Sequence, residues 1–262
     1  SMIAKENDVS NLYDGIDPMS PARSLSDSVN LISELPLIAE PNTEFNYSIG
    51  VMVLGLIIED ITGMQLGDYL DENIFKPLGM QDTAFYIGMN KQERIAALFQ
   101  AKRITVQVPG ENISYEPSPL TNWCMTKKMA HHGGEGLCST SKDFHKFIQL
   151  LMNKGEFNGK RILGEKYINL MLTNQMPEEA GEAPLTNFFG PVAKNLQFSY
   201  GLGITLDNQR QNTKYYWWAG AANTFFWFDT KTRLSGVFMT HHFPVLYNTI
   251  DQLYSLAENS KL

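Results

Sequence analysis

"NYSIGVMVLGLIIEDITGMQLGDYLDENIFKPLGMQDTAFYI", residues 46–87, decides the fold. Its first part, 46–63, is apolar almost all round and closes on Gly63, a residue suited to the left-handed turn that ends helices. A helix of that kind is predicted to lie in the middle of a helical cluster. The second part, "MQLGDYLDENIFKPLGM" (64–80), reads as another helix, stopped by Pro77 and Gly79. "DTAFYI" (82–87) reads as a short strand. The longest apolar run, Ile49 to Ile58, is too short to span a bilayer.

Toward the N-terminus, "SLSDSVNLISEL" (24–35) predicts an amphipathic helix with Leu25, Val29, Ile32 and Leu35 on one side. "PLIAEPNTEF" (36–45) is extended, because each proline disfavours helix in the residue before it. Residues 1–24 are polar and irregular, and "SMIAKENDVS" (1–10) has no signal-peptide architecture. Any targeting segment is expected upstream.

Toward the C-terminus, "ALFQAK" (97–102) and "ITVQV" (104–108) are strand candidates. "STSKDFHKFIQLLMNKG" (139–155) and "EKYINLMLTNQM" (165–176) are helical, and 177–196 reads as a loop. Then "FSYGLGITL" (198–206), "KYYWWAG" (214–220), "NTFFWFD" (223–229) and "RLSGVFMTHH" (233–242) predict four strands, rich in aromatic and β-branched residues. A helix over 248–259 closes the chain. Helices first and an antiparallel meander last imply an α+β fold. The organisation expected is one composite domain: an irregular segment 1–24, a mainly helical region 25–175, and a sheet region with its C-terminal helix over 176–262.

Composition bounds the function classes. The chain has 262 residues, 43% hydrophobic and 19% charged, with net charge −7. That is an ordinary globular balance. No basic stripe is present, so nucleic acid is not an expected partner. Cys124 and Cys138 do not form a disulfide framework or a metal motif, and neither require nor exclude an oxidising compartment. His131–His132 and His241–His242 are adjacent pairs. Neighbouring residues on a strand point to opposite faces, so each pair is a poor metal chelate. No metal and no cofactor are expected. His241 or His242 could instead line a pocket. Trp217, Trp218, Phe225, Phe226 and Trp227 read as alternate residues filling both faces of a covered sheet, the rival being a ring-stacking surface.

Ser139 and Lys142 form a Ser-x-x-Lys, the nucleophile pattern of penicillin-recognising hydrolases. The pattern needs both side chains in a pocket. Here Phe144, Phe147, Ile148 and Leu151 form the helix's apolar stripe. Lys142 shares the polar face with His145, Lys146, Gln149 and Asn153. Thr140 followed by Asp143 has the spacing of a capping box, so the stretch is read as a helix start. The "GGEG" just upstream (133–136) permits close backbone approach to another group.

The order of these phrases resembles the serine β-lactamase-related family, which includes class C β-lactamases, DD-peptidases and β-lactamase-like esterases. Pro41, Phe45, Tyr47 and Ser48, then Ile74 to Phe85, then "GGEGLCSTSKDFHKF", then "WWAGAANTFFWFD" follow the family's sequence of motifs from about residue 25 onward. The resemblance implies a β-lactamase/transpeptidase-like fold and an acyl-enzyme mechanism. It implies that Tyr47 is the general base or proton relay. It makes Trp218, Ala219, Gly220 and Ala221 the edge strand of the pocket, with the Ala221 N–H as oxyanion donor. It also puts the family's Ser-x-x-Lys upstream of the tyrosine, so the nucleophile is expected before residue 1 and the chain is expected to be inactive alone.

Two departures narrow the substrate. Ile49 stands where penicillin-recognising members have Asn, and Trp218 stands where they have Lys. Both changes remove polar groups that hold a β-lactam. An uncharged acyl substrate, ester or amide, is implied, and an esterase-like protein. The rival reading is a non-catalytic binding or scaffolding protein with a degenerate pocket. A meander lacking N-terminal strands has an open edge, which predicts a homodimer or a swapped assembly.

Overall fold

The computed structural model describes residues 12, 15–102, 114–177, 196–207, 209, 211–243 and 250–260. They divide into two compact units. Unit 1 is Ser1–Met89, Trp123–Ser139 and Pro177–Gly181, and unit 2 is Asn90–Asn122, Thr140–Met176 and Glu182–Leu262.

Unit 1 begins with α1 (Leu25–Ser33), whose start is fixed by Ser24 accepting the Asp27 N–H. Leu25 packs with Met52 and Ala130, flanked by Val29 and Ile32, as the helical periodicity required. Next come α2 (Gly50–Thr62) and α3 (Leu66–Leu78), bent from each other by 79°. Gly63 supplies the left-handed turn between them at φ 67°, and Gly79 ends α3 at φ 66°. Pro77 lies inside the last turn of α3 rather than beyond it. The helix tolerates it because Asp71–Phe75 is a wider π-type turn just before. No single helix among the described residues is long and apolar enough to cross a membrane.

Two expectations in unit 1 need correction. Helix α2 is not enclosed by the described residues: Val51, Leu54, Ile57 and Ile61 are 43%, 58%, 46% and 79% exposed. The segment "DTAFYI" forms no strand and makes a single antiparallel bridge, Ala84 to Cys138. That bridge is locked by a disulfide between Cys124 and Cys138. Closing a loop of this length stabilises the folded state by about 3 kcal/mol in the chain-entropy account.

Unit 2 is built on a five-stranded antiparallel sheet in the order β5-β6-β7-β8-β9. Its strands are β5 (Leu196–Phe198), β6 (Gly203–Leu206), β7 (Thr213–Gly220), β8 (Thr224–Phe228) and β9 (Ser235–Met239). The expected single strand over 198–206 is two strands. Gly201 at φ 89° turns the chain between them, a conformation that L side chains resist. Glycines also face tryptophans across the ladder, Gly203 opposite Trp217 and Gly236 opposite Trp227. A Cβ on Gly236 would lie 2.7 Å from the Trp227 Nε1, so the indole needs that position empty.

Both sheet faces are covered, as the alternation of aromatics implied. On one side α4 (Ser141–Met152) and α5 (Glu165–Met171) bury Ile148, Leu151 and Ile168 against Ile204, Tyr216 and Phe228. On the other, Tyr254 of α6 (Ile250–Ser260) meets the rings of Tyr215 and Trp227 at 4.5 and 5.0 Å. A small second sheet orders as β10-β1-β2, from β1 (Phe99–Ala101), β2 (Tyr115–Pro117) and β10 (His242–Phe243). So the "HH" at 241–242 leaves the meander and pairs in parallel with β1. The remaining hairpin is β3 (Glu156–Phe157) with β4 (Lys160–Arg161). The candidate strand 104–108 and most of the loop 177–196 lie outside the described residues.

Helix α4 starts on a side-chain cap. Thr140 is extended and its Oγ1 accepts the Asp143 N–H at 3.2 Å. Lys142 is exposed, and Lys146 bonds the buried Asp143 carboxylate at 2.8 Å. Ser139 Oγ lies 2.7 Å from Thr83 Oγ1. Thr140→Ala is expected to lower unfolding stability by about 1 kcal/mol, whereas Lys142→Ala should change it by less than about 0.5 kcal/mol. Urea denaturation of the two variants checks both values, and equal effects would contradict the cap.

Candidate functional site

In unit 1 the approach to α2 is built from tight turns. Asn42 takes φ 67°, and the Thr43 N–H reaches the Glu40 carbonyl at 3.2 Å. Tyr47 follows, half-buried, and the helix starts three residues later. Ile49 occupies the cap position and its side chain cannot accept a bond, so Ser48 Oγ serves the Gly50 N–H at 3.2 Å instead. Thus the stretch carrying Tyr47 is anchored by its neighbour's hydroxyl.

The "GGEG" stretch makes its close approach to this same helix start. A Cβ on Gly133 would sit 2.4 Å from the Val51 carbonyl oxygen, and one on Gly134 would sit 2.8 Å from Val51 Cγ2. Only glycine permits those distances. His132 and Glu135 flank the contact, joined from Nδ1 to Oε1 at 3.0 Å, with His132 only 8% exposed.

In unit 2, Trp218, Ala219 and Gly220 end β7, and Ala221 is exposed in the turn that follows. Strand β7 is the middle strand of the five. The Trp218 ring meets Phe198 edge-on at 4.9 Å, which presents an indole where a cation was absent from the motif. The turn closes by the Asn223 N–H bonding the Gly220 carbonyl at 3.1 Å. A Cβ on Gly220 would lie 2.6 Å from Thr224 Oγ1, so a larger residue there would displace that hydroxyl. Backbone N–H groups in such a turn are fixed donors of the kind that stabilises developing negative charge. Trp218 to Ala221 are thus brought together in unit 2, while Tyr47 belongs to unit 1.

Residues 223, 240 and 242 hold this turn, and the motif reading missed two of them. Asn223, 4% exposed and at φ 55°, donates from Nδ2 to Thr240 Oγ1 at 3.1 Å and to His242 Nε2 at 2.8 Å. With Nε2 as acceptor, the His242 proton sits on Nδ1. The His242 N–H also bonds the Ala222 carbonyl at 3.3 Å. His241 instead places Nδ1 2.6 Å from the Ala96 carbonyl. The available signal was an Asn three residues after Gly220, a residue type that tolerates left-handed φ in turns.

His131, in unit 1, caps α3. Its Nδ1 accepts the Gly67 N–H at 3.2 Å, and its ring stacks on Phe85 at 4.5 Å with 7° between planes. Burial holds its pKa below the ordinary 6.5, with Asp68 opposing and Lys128 and His132 reinforcing the shift. Among the described residues no group of three His, Cys, Asp or Glu is placed to hold a metal ion.

A family model described as Beta-lactamase matches residues 6–257. An uncharacterized protein from Mycobacterium tuberculosis is 27% identical over 242 residues, covering 88% of this chain and 56% of that protein. EstCE1, a hydrolase with promiscuous acyltransferase activity, superposes with a TM-score of 0.66 at 22% identity, covering 84% of this chain and 57% of EstCE1. The octameric penicillin-binding protein homologue from Pyrococcus abyssi gives 0.64 at 19% identity, over 92% of this chain and 48% of that one. The fold is therefore β-lactamase/transpeptidase-like, and the chain spans about half the length of the relatives it matches.

The His131 geometry carries a pH test. A histidine whose folded pKa is lowered adds stability above its unfolded pKa of about 6.5 and loses it as pH falls toward the folded value. The chain should therefore lose stability from about pH 7 to pH 5. His131→Asn, whose amide oxygen can still accept the Gly67 N–H, should lose less over that window. Urea midpoints at both pH values measure this, and parallel slopes would contradict the assignment.

Proposed function

The chain belongs to the β-lactamase family, and on that footing we propose that it forms the tyrosine-bearing and third-motif parts of an ester-preferring serine hydrolase. The observation that carries the reading is the end of β7. There Trp218, half-buried against Phe198, replaces the cation of penicillin-recognising members. An indole wall suits an uncharged acyl group, and the apolar Ile49 in the tyrosine motif points the same way. EstCE1, a hydrolase by its description, supports the acyl-transfer class.

In this reading the nucleophile is a serine upstream of Tyr47. Ser139 and Lys142 form the one Ser-x-x-Lys in the 262 residues, and Thr140 beside them caps a helix. Acylation proceeds by attack of the serine oxygen on the substrate carbonyl. As the phenolate, Tyr47 takes the serine proton and passes it to the departing alkoxide, which leaves as the alcohol. A phenol of ordinary pKa about 10 is deprotonated near neutrality only beside a positive charge, which the upstream lysine supplies. The Ala221 N–H, held by the Asn223 turn, donates to the developing oxyanion. Water then releases the acid.

A fluorophosphonate probe tests the assignment. The 262-residue chain should remain unlabelled, and a chain extended N-terminally through a Ser-x-x-Lys should label at that serine. Stoichiometric labelling of Ser139 would overturn the reading. In the extended chain, esters should be cleaved in preference to β-lactams. Tyr47→Phe should lower kcat by about 100-fold or more with little change in KM. An extended chain that neither labels nor turns over would favour the non-catalytic, scaffolding alternative.

The proposal includes self-association. Among the described residues, strand β9 pairs on one side only, and an open edge invites a further strand. The octameric homologue from Pyrococcus abyssi supports assembly in the family. Light scattering at micromolar concentration should give a dimer or larger, and a monomer would refute this part.

A further inference from the structure

Unit 1 holds a cleft of about 770 Å³ that uses neither Tyr47 nor the β7 turn. We propose that it binds a small organic carboxylate with an apolar body, and that Lys128 is the residue that receives the carboxylate. The proposal stands whether or not the family chemistry assigned above is correct.

Lys128 lines the cleft and is half-buried, and its Nζ has almost no solvent contact and no hydrogen-bond partner among the described residues. It rests over the Trp123 ring, 3.0 Å from the centroid. A cation–π contact compensates part of the lost hydration but supplies no acceptor. A buried ammonium with three unused donors is costly, and such groups in folded proteins call for a specific partner. Burial lowers its pKa to about 8, opposed by Glu135. At neutral pH the group is still mostly charged, so the missing acceptor is an anion's.

The surroundings fit that anion and little else. Lys76 and Asp71 satisfy each other at 2.8 Å. Of the remaining charges along the cleft, Lys127 and Lys128 outnumber Asp68. Glu135 is engaged by His132. His131 also lines the cleft. With its Nδ1 committed to the Gly67 N–H, its proton is on Nε2, which makes it a second donor. Phe75, Met80, Phe85 and Tyr86 supply the apolar wall. One cationic end and one apolar wall match a carboxylate head on a hydrocarbon or aromatic tail.

The probe is hexanoate, with hexanamide as its uncharged isostere, titrated calorimetrically into the full chain at pH 7. Hexanoate should bind saturably at one site, and hexanamide about tenfold or more weaker, the value of one charge-assisted bond. Lys128→Met should weaken hexanoate by about the same factor, while Lys128→Arg should keep it within about threefold. Equal binding of acid and amide would overturn the proposal. So would unchanged affinity in a folded Lys128→Met chain, or no saturable binding up to roughly 50 mM. If Lys128→Met fails to fold by circular dichroism, the comparison of acid and amide on the unaltered chain decides.

Discussion

Unit 1 depends on one close contact, the backbone of Gly133 against the carbonyl of Val51. A single methyl at Gly133 would come within 2.4 Å of that oxygen, far inside any tolerated carbon–oxygen distance. The contact pins the 124–138 segment to the first turn of α2, immediately after Tyr47. The Cys124–Cys138 disulfide and the Ala84–Cys138 bridge hold the two ends of that segment together. His131 and Gly67 then fix α3, where a Cβ on Gly67 would overlap the imidazole at 2.2 Å. Glycine, disulfide and imidazole together set where the tyrosine motif can lie.

Unit 2 solves a different problem. Its sheet must place a polar turn at the end of a strand that is otherwise aromatic. Trp217 is fully buried and satisfies its Nε1–H with Thr205 Oγ1 at 2.9 Å. A buried indole without that partner would carry an unpaired donor. The next residue, Trp218, faces the opposite way and stays half-buried. Period-two alternation thus divides two adjacent tryptophans into a core residue and a site residue. Asn223 then takes the left-handed conformation in the turn that follows Gly220.

The elements with strong local signals were legible in the sequence. The helices α1, α2, α4 and α6 follow from apolar periodicity and caps, and β7, β8 and β9 from aromatic runs. The role of Thr140 was legible too, because a side-chain cap is a local interaction. What escaped depended on distant partners. Residues 198–206 carry one composition, and only the left-handed Gly201 reveals two strands. His242 pairs with Phe99, 143 positions away in sequence, which no local pattern encodes. The pairing of Cys124 with Cys138 requires their Cα atoms to come within 6.4 Å, a tertiary fact. Lys128 was invisible for the same reason, since "TKKMA" reads as an ordinary solvated stretch.

The exposed face of α2 is where sequence and structure disagree most usefully. Val51, Leu54, Ile57 and Ile61 recur along one side of a thirteen-residue helix. Each such side chain gains about 1.5–3 kcal/mol on full burial. Taken against a typical domain stability of about 5–15 kcal/mol, covering all four would change the stability of the unit substantially. A contiguous aliphatic stripe is not an ordinary scatter of surface residues. The helix was expected inside a cluster because its sequence is written for enclosure, and the described residues enclose only Met52 and Gly55. The tyrosine motif sits at the head of this stripe.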